Sequence, residues 1–281
     1  MSSRTLAQAM APGALKAAGA STPRRMSDTP RRTSNLVPSW VPPVILGLIV
    51  LGTWWALTTF GFVNTYFLPR PQDVAVRLVA DLGRGHLAAA LGLTVREALF
   101  GSLIAAAIGI PLGYAIAKSP LFALLVQPYL AASQAIPAVA VAPLMTIWIG
   151  YGLAPIVVLC AVMVIFPVIV STAAGLRFLD AEVVGAARLD GAHGWRLATR
   201  IELPLAAPSI LAGLRTGFTL SITGAVVGEM VIGGRGLGLT LTSAQHSSDV
   251  TGMFATIALL AAVAVSVYAL FTFLERRLDV A

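Results

Sequence analysis

Side chains able to do chemistry are few and scattered in this chain. The three histidines, His86, His193 and His246, share no metal-ligand spacing. The one cysteine, Cys160, lies inside an apolar run, where a small buried side chain is expected. No serine occupies a nucleophile elbow or pairs with a lysine on a facing segment. The only lysines are Lys16 and Lys118, and the phosphate loop G-x-x-x-x-G-K-[ST] is absent, so ATP hydrolysis by this chain is not expected. The cluster Gly233-Gly234-Arg235-Gly236-Leu237-Gly238 follows an apolar helical stretch rather than a strand, which leaves a flexible turn in place of a dinucleotide fingerprint. Catalysis and metal binding have no candidate residues.

Polar groups inside apolar stretches are a different matter, because an ionisable group within lipid needs a reason. Arg96, Glu97 and Arg215 sit toward the ends of such stretches, where snorkelling to the headgroups suffices. Glu229 lies deeper, in "SITGAVVGEMVIGG", and either lines a passage or pairs with Arg235. Gln134, in "LAASQAIPAVAVAP", either bonds a neighbouring helix or touches a solute. Gln134, Trp148 and Glu229 are the candidate pathway contacts.

A third group of polar residues is consecutive. "AARLDGAHGWRLATRIELP", from Ala186 to Pro204, carries Arg188, Arg196, Arg200, Asp190 and Glu202 between two apolar stretches. Two short helices are expected. Asp180 caps the first, with Glu182 favoured in its first turn by the helix dipole. Gly191 suits the left-handed residue that closes it. The second covers about His193 to Arg200, with Pro204 marking its end.

The elements that hold these groups follow from composition. The chain has 281 residues, 57% hydrophobic and 11% charged, with a mean hydropathy of +0.86, outside the range of soluble domains. No charged residue occurs between Lys118 and Arg177, a run long enough for two helices across a hydrocarbon core about 30 Å thick. Backbone groups in lipid must be paired within the structure, so helices are expected, and the short alternating segments of a barrel are absent. The sequence thus reads as an all-α membrane protein with six transmembrane helices, at about Val41 to Phe62, Leu91 to Ala117, Leu121 to Ile149, Leu153 to Leu176, Pro208 to Ile232 and Gly252 to Leu274. Residues 1–36, with Asp28 their only acid, read as a disordered basic cytoplasmic tail, and 37–281 as the membrane domain.

The net charge of +7 does not point to nucleic acid here, because the bases flank apolar spans. Lys118, Arg177, Arg188, Arg196, Arg200, Arg276 and Arg277 fall on the same side as the basic tail, and only Arg70, Arg77, Arg84 and Arg235 on the other. Both termini and the polar segment are therefore expected in the cytoplasm. Gly101, Ala105, Gly109 and Gly113 form a small-residue stripe for close helix packing, and Pro137 and Pro143 are expected to bend the third span. No internal repeat is visible, which argues against a carrier built from inverted halves.

The polar segment has one further property. Ala186-Ala187, three residues, Gly191, nine residues, Ile201, one residue and Leu203-Pro204 resembles the EAA motif of the membrane permease subunits of ABC importers. Gly185 stands where that motif carries its acid, and Glu182 lies one turn earlier. "FLPRPQDV", "AIPAVAVAPLMTIWIGYG" and "GEMVIGGRGLG" resemble the nitrate, sulfonate and taurine branch, which includes transporters resembling those for thiamine-pyrimidine precursors and riboflavin. The resemblance covers about residues 40–281. It implies a type I ABC importer permease fold in which residues 178–207 form a cytoplasmic coupling loop against a separate ATPase. Glu182, Gly185, Ala186, Ala187, Gly191, Ile201, Leu203 and Pro204 are its implied coupling residues. The implied partners are two ATPase subunits carrying ATP and Mg2+, an extracytoplasmic solute-binding protein and a second copy of this chain, in a bacterial inner membrane. No cofactor is implied in this chain. The readings from other classes are an ion-gradient-driven carrier, which would be expected to carry more buried acids, and a membrane scaffold recruiting a soluble partner.

Overall fold

A computed structural model describes residues 41–278. The tail expected over residues 1–36 lies outside them. Among the described residues there are eleven α-helices, two π-helical turns and no strand. Contacts divide the chain into residues 1–48 and 49–281. The first unit is described only by Val41–Leu48, a helical segment of mostly exposed apolar side chains. The account below concerns the second.

The centre of the bundle is α6 (Leu153–Arg177), packed between α3 (His86–Lys118) and α9 (Leu203–Gly228). Lipid tails are as apolar as leucine, so helices associate here through close backbone approach rather than through escape from water. Small residues make that approach possible toward both neighbours. A Cβ on Gly109 would stand 3.0 Å from Val168 Cγ1, and one on Gly113 would stand 2.7 Å from Thr172 Cβ. Ala105, between Gly101 and Gly109 on the same stripe, is fully buried. Toward α9, a Cβ on Gly217 would meet Val164 Cγ1 at 2.6 Å and one on Gly213 would meet Ser171 Cβ at 2.5 Å. By contrast α1 (Val41–Thr59) leaves nearly all its apolar side chains exposed, and α11 (Val250–Leu278) buries only one face, with Ala255 and Leu259 inside and Leu260, Val263, Val267 and Phe271 packed on the core.

The third expected span is broken. α4 (Pro120–Ala135) and α5 (Ala138–Ile149) meet at a 99° bend. Ile136 takes an extended conformation, ψ 117, because the following proline ring crowds the helical one. Pro143 does not break α5, and Pro111 and Pro167 likewise lie inside intact helices. Of these four prolines, only Pro137 follows a residue that leaves the helix.

Two short helices not expected from the sequence flank the bundle: α2 (Pro71–Gly83) and α10 (Leu237–His246). Arg77 of α2 bridges Asp81 and Asp249, each at 2.7 Å, and so ties α2 to the turn before α11. Hydrogen bonding to Asp81 raises the Arg77 pKa.

Pro204 is the clearest departure from expectation. It does not end a helix. α8 (Gly194–Leu197), a π-helical turn over Ala198–Glu202 and α9 run on as one helical path of 40 residues from Gly194 to Gly233. Leu203 N–H reaches back to the Ala198 carbonyl, so the ladder has already shifted register where the proline lacks its donor. The helix that carries the fifth span therefore begins in the polar segment itself, ahead of Pro208.

Candidate functional site

Two polar constellations stand at opposite ends of α9, with a cavity at the break between α4 and α5.

At the first end lies the polar segment. Asp180 Oδ1 accepts a hydrogen bond from Glu182 N–H at 2.8 Å and starts α7 (Ala181–Leu189). Gly191 closes that helix at φ +88, a conformation that costs a side-chain-bearing residue more than glycine. Its neighbours complete the closure: Asp190 N–H donates to Ala186 O at 3.0 Å and Ala192 N–H to Ala187 O at 3.0 Å. Gly194, φ +55, then redirects the chain into α8. The result is a firmly turned loop presenting large apolar groups: Leu189 is 91% exposed, Trp195 80% exposed, and Phe178 equally open. Around them Glu182, Ala186, Gly191 and Pro204 are exposed, whereas Gly185, Ala187, Ile201 and Leu203 are half-buried. A Cβ on Gly185 would meet nothing within 4 Å, so the missing motif acid leaves open space, not a packed gap.

The base of this loop holds a group that spacing alone did not single out. Glu202 is fully buried, and its carboxylate accepts from Lys118 Nζ at 2.6 Å and Tyr114 Oη at 2.8 Å, both on the last turns of α3. Lys118 also lies where the carbonyl end of α3 favours a cation. Beside the pair is a cavity of about 350 Å³ lined by Ile110, Pro111, Tyr114, Trp195, Ala198 and Leu203. Loop and α3 thus join through a polar link next to unfilled space. The signal available in the sequence was an acid between Ile201 and Leu203, in apolar register, with its partner 84 residues away.

At the far end of α9 stands Glu229. Thr94 Oγ1 donates to its Oε1 at 2.6 Å, and Gly238 N–H donates to Oε2 at 2.6 Å. Leu237 N–H in turn donates to Thr94 Oγ1 at 2.9 Å. The carboxylate therefore clasps the start of α10 against α3. A Cβ on Gly236 would collide with the Glu229 carboxyl, which is why glycine stands there. The expected Arg235 partner is not used: Arg235 is exposed, and the backbone amide and the threonine lie closer to hand. The glycine cluster is accordingly a packed seat for the carboxylate, not a free turn.

Glu97 is also corrected. It does not snorkel; it is 1% exposed, lies beside the Glu229 carboxyl, and its Oε2 has no partner among the described residues. Arg215 pairs with Glu275 at 2.9 Å and stacks over Tyr268 instead of reaching past its helix end.

The three candidate pathway residues fall in three places. Gln134 lines a cavity of about 320 Å³ at the α4–α5 break, with Ser133, Leu159, Met163, Phe166 and Leu220. Trp148 is exposed near the end of α5, and Glu229 is sealed in its clasp. Among the described residues no group of three or more His, Cys, Asp or Glu is placed to hold a metal. Cys160 is buried, its thiol donating to the Ser221 carbonyl at 3.3 Å.

These features have counterparts in known proteins. The pattern of the family described as "Binding-protein-dependent transport system inner membrane component" matches residues 109–280. The chain is 38% identical over 236 residues to the riboflavin transport system permease protein RibX of Chloroflexus aurantiacus, covering 84% of this chain and 88% of that protein. It is 31% identical to the taurine transport system permease protein TauC of Escherichia coli, covering 82% and 86%. Its fold is similar to a chain of the MetNI methionine ABC transporter in an inward-facing conformation, with a TM-score of 0.62 at 18% identity, over 70% of this chain and 98% of that one.

Proposed function

Because this chain belongs to the family of binding-protein-dependent transport system inner membrane components, we propose that its loop from Ala181 to Glu202 is the contact through which a separate ATPase drives it. The chain is a multi-pass membrane permease subunit of an ATP-driven ABC importer, and its spans form the pathway for a small solute. In the proposed assembly two copies of this chain pair with two ATPase subunits, which hold ATP and Mg2+, and a binding protein delivers solute to the opposite face. Both termini and the loop face the cytoplasm.

The observation that carries this reading is the shape of the loop. A segment capped by Asp180 and turned at Gly191 holds Leu189 and Trp195 in the open, next to exposed Phe178, where no described helix covers them. Large exposed apolar groups on a rigid projecting element suit docking into a partner's groove. With glycine at position 185, shape and apolar contact take over what an acid would contribute. ATP-driven closure then pushes the loop, and the loop moves the spans, provided the ATPase binds the two permease states differently.

Gly191→Val tests the proposal. The substitution forces a β-branched residue into a left-handed turn and distorts the docking surface without touching a span. Membrane insertion is expected to persist while ATP-driven uptake is lost. Wild-type uptake in this variant overturns the docking role, as does purification of the solubilised protein without a co-purifying ATPase.

A further inference from the structure

The clasp at Glu229 brings two carboxyl groups together with no cation between them. Glu97 is 1% exposed and Glu229 0%, and the two side chains are hydrogen-bonded to each other. Such a bond needs a proton on one of the two, because an ionised carboxylate only accepts. Glu229 already accepts on both oxygens, from the Thr94 hydroxyl and the Gly238 amide, so Glu97 is the donor. No N–H or hydroxyl of the described residues reaches Glu97 Oε2, which is closed to solvent. A carboxylate there would stand uncompensated, and a protonated carboxyl does not. Nor does charge on the surrounding elements compensate the pair. Among the described residues neither carboxyl joins an ion pair. Arg96, next to Glu97 on α3, and Arg235, ahead of α10, are both exposed. α6 presents only the Cys160 thiol, which donates to the Ser221 carbonyl, and α5 has no ionisable side chain. The one cation of α9, Arg215, is paired with Glu275, and His246 stands at the last residue of α10.

We infer that Glu97 and Glu229 together bind one proton, and that this proton is a structural ligand holding the start of α10 against α3. Two carboxylates side by side in a buried site repel too strongly for both to ionise, so the pair carries one negative charge and not two. Glu229 keeps that charge, steadied by the Thr94 hydroxyl and the Gly238 amide. Glu97 keeps the proton and shares it with Glu229. Losing it sets a second charge beside the first and drives the Glu229 carboxyl from the seat it shares with Gly238. The direction of the pH response follows. In an opened clasp Glu97 meets water and ionises at neutral pH, so closing the clasp takes up a proton, and closure weakens as pH rises. The proton site is independent of which solute or ATPase the chain serves.

Infrared spectra of the purified full chain in lipid at neutral pH test for the proton directly. The wild type is expected to show the C=O stretch of a protonated, buried carboxyl, and Glu97→Gln is expected to lose it. A wild-type spectrum without that band overturns the inference and needs no variant to fold, and a band untouched by Glu97→Gln overturns it too. Amide hydrogen exchange over α10, Leu237–His246, follows the clasp. Glu97→Gln gives Glu229 a permanent N–H donor that does not titrate. Wild type and variant are compared at each pH, so the chemical rate of exchange cancels. The ratio of wild-type to variant opening is expected to rise about tenfold per pH unit between about pH 6 and about pH 8, because only the wild type releases a proton on opening. A ratio that stays flat over that range shows that no proton is bound on closure, and overturns the inference.

Discussion

Lys118→Met isolates the link between the loop and the bundle. Lys118 Nζ and Glu202 Oε1 are 2.6 Å apart. Two unit charges at that separation attract by about 6 kcal/mol at an effective dielectric of about 20. Desolvating a fully buried carboxylate offsets several kcal/mol of that, so the pair as a whole contributes little net stability. Breaking it is another matter, because methionine keeps the apolar stem and strands Glu202 with Tyr114 as its one remaining partner. The lysine side chain is 37% exposed and that of Glu202 0%, which places the cost at about 3 kcal/mol, the low end for a broken buried pair. At 1.4 kcal/mol per factor of ten, the loop base opens about a hundredfold more often. Amide hydrogen exchange over residues 194–203 reads this directly, and uptake per ATP hydrolysed is expected to fall with it. The double variant Lys118→Met/Glu202→Met removes both charges and is expected to recover most of the protection, because an apolar replacement of a buried pair is close to neutral. Exchange in Lys118→Met that stays within about twofold of wild type, or a double variant no better protected than the single one, refutes the reasoning.

Three other outcomes follow from the same structure. Gly236→Ala drives a methyl into the Glu229 carboxyl and is expected to lower the yield of folded protein in detergent, whereas Gly185→Glu enters open space and leaves yield unchanged. Glu229→Gln presents an N–H₂ to Thr94 or to the Gly238 amide, and is expected to cost about 1–3 kcal/mol at the clasp, seen as a lower melting temperature and reduced uptake. Gly113→Leu separates α3 from α6 at Thr172 and is expected to destabilise the bundle by more than the same substitution at exposed Gly92, as measured by thermal unfolding in detergent.

Local and periodic features of this protein were legible in its sequence. Charge-free length marked the apolar spans, because lipid imposes helix and a minimum span on any chain that crosses it. The stripe of Gly101, Ala105, Gly109 and Gly113 marked the face of α3 that meets α6. Asp180 and Gly191 marked the limits of α7, since a cap and a left-handed closure need only the residue itself and its near neighbours. The spacing from Ala186 to Pro204 identified the loop that the family resemblance rests on.

Tertiary structure decided what depends on partners far along the chain. Pro137 breaks its span and Pro143 does not: Ile136 before the one is extended, while the residue before the other stays helical, a difference the two prolines alone do not announce. Glu97 and Glu229 were readable as acids in apolar surroundings, but one was expected to reach the headgroups and the other to face a passage or Arg235. The fate of Glu229 was set by Thr94, 135 residues before it, and by the amide of Gly238, and Glu97 is buried against Glu229. Glu202 passed as one more charge in a polar loop until folding brought Lys118 and Tyr114 to it. Periodicity and capping act within a few turns of helix and so are written locally. A buried charge takes its meaning from whichever donor the fold brings within 3 Å of it, a pairing that no local pattern specifies.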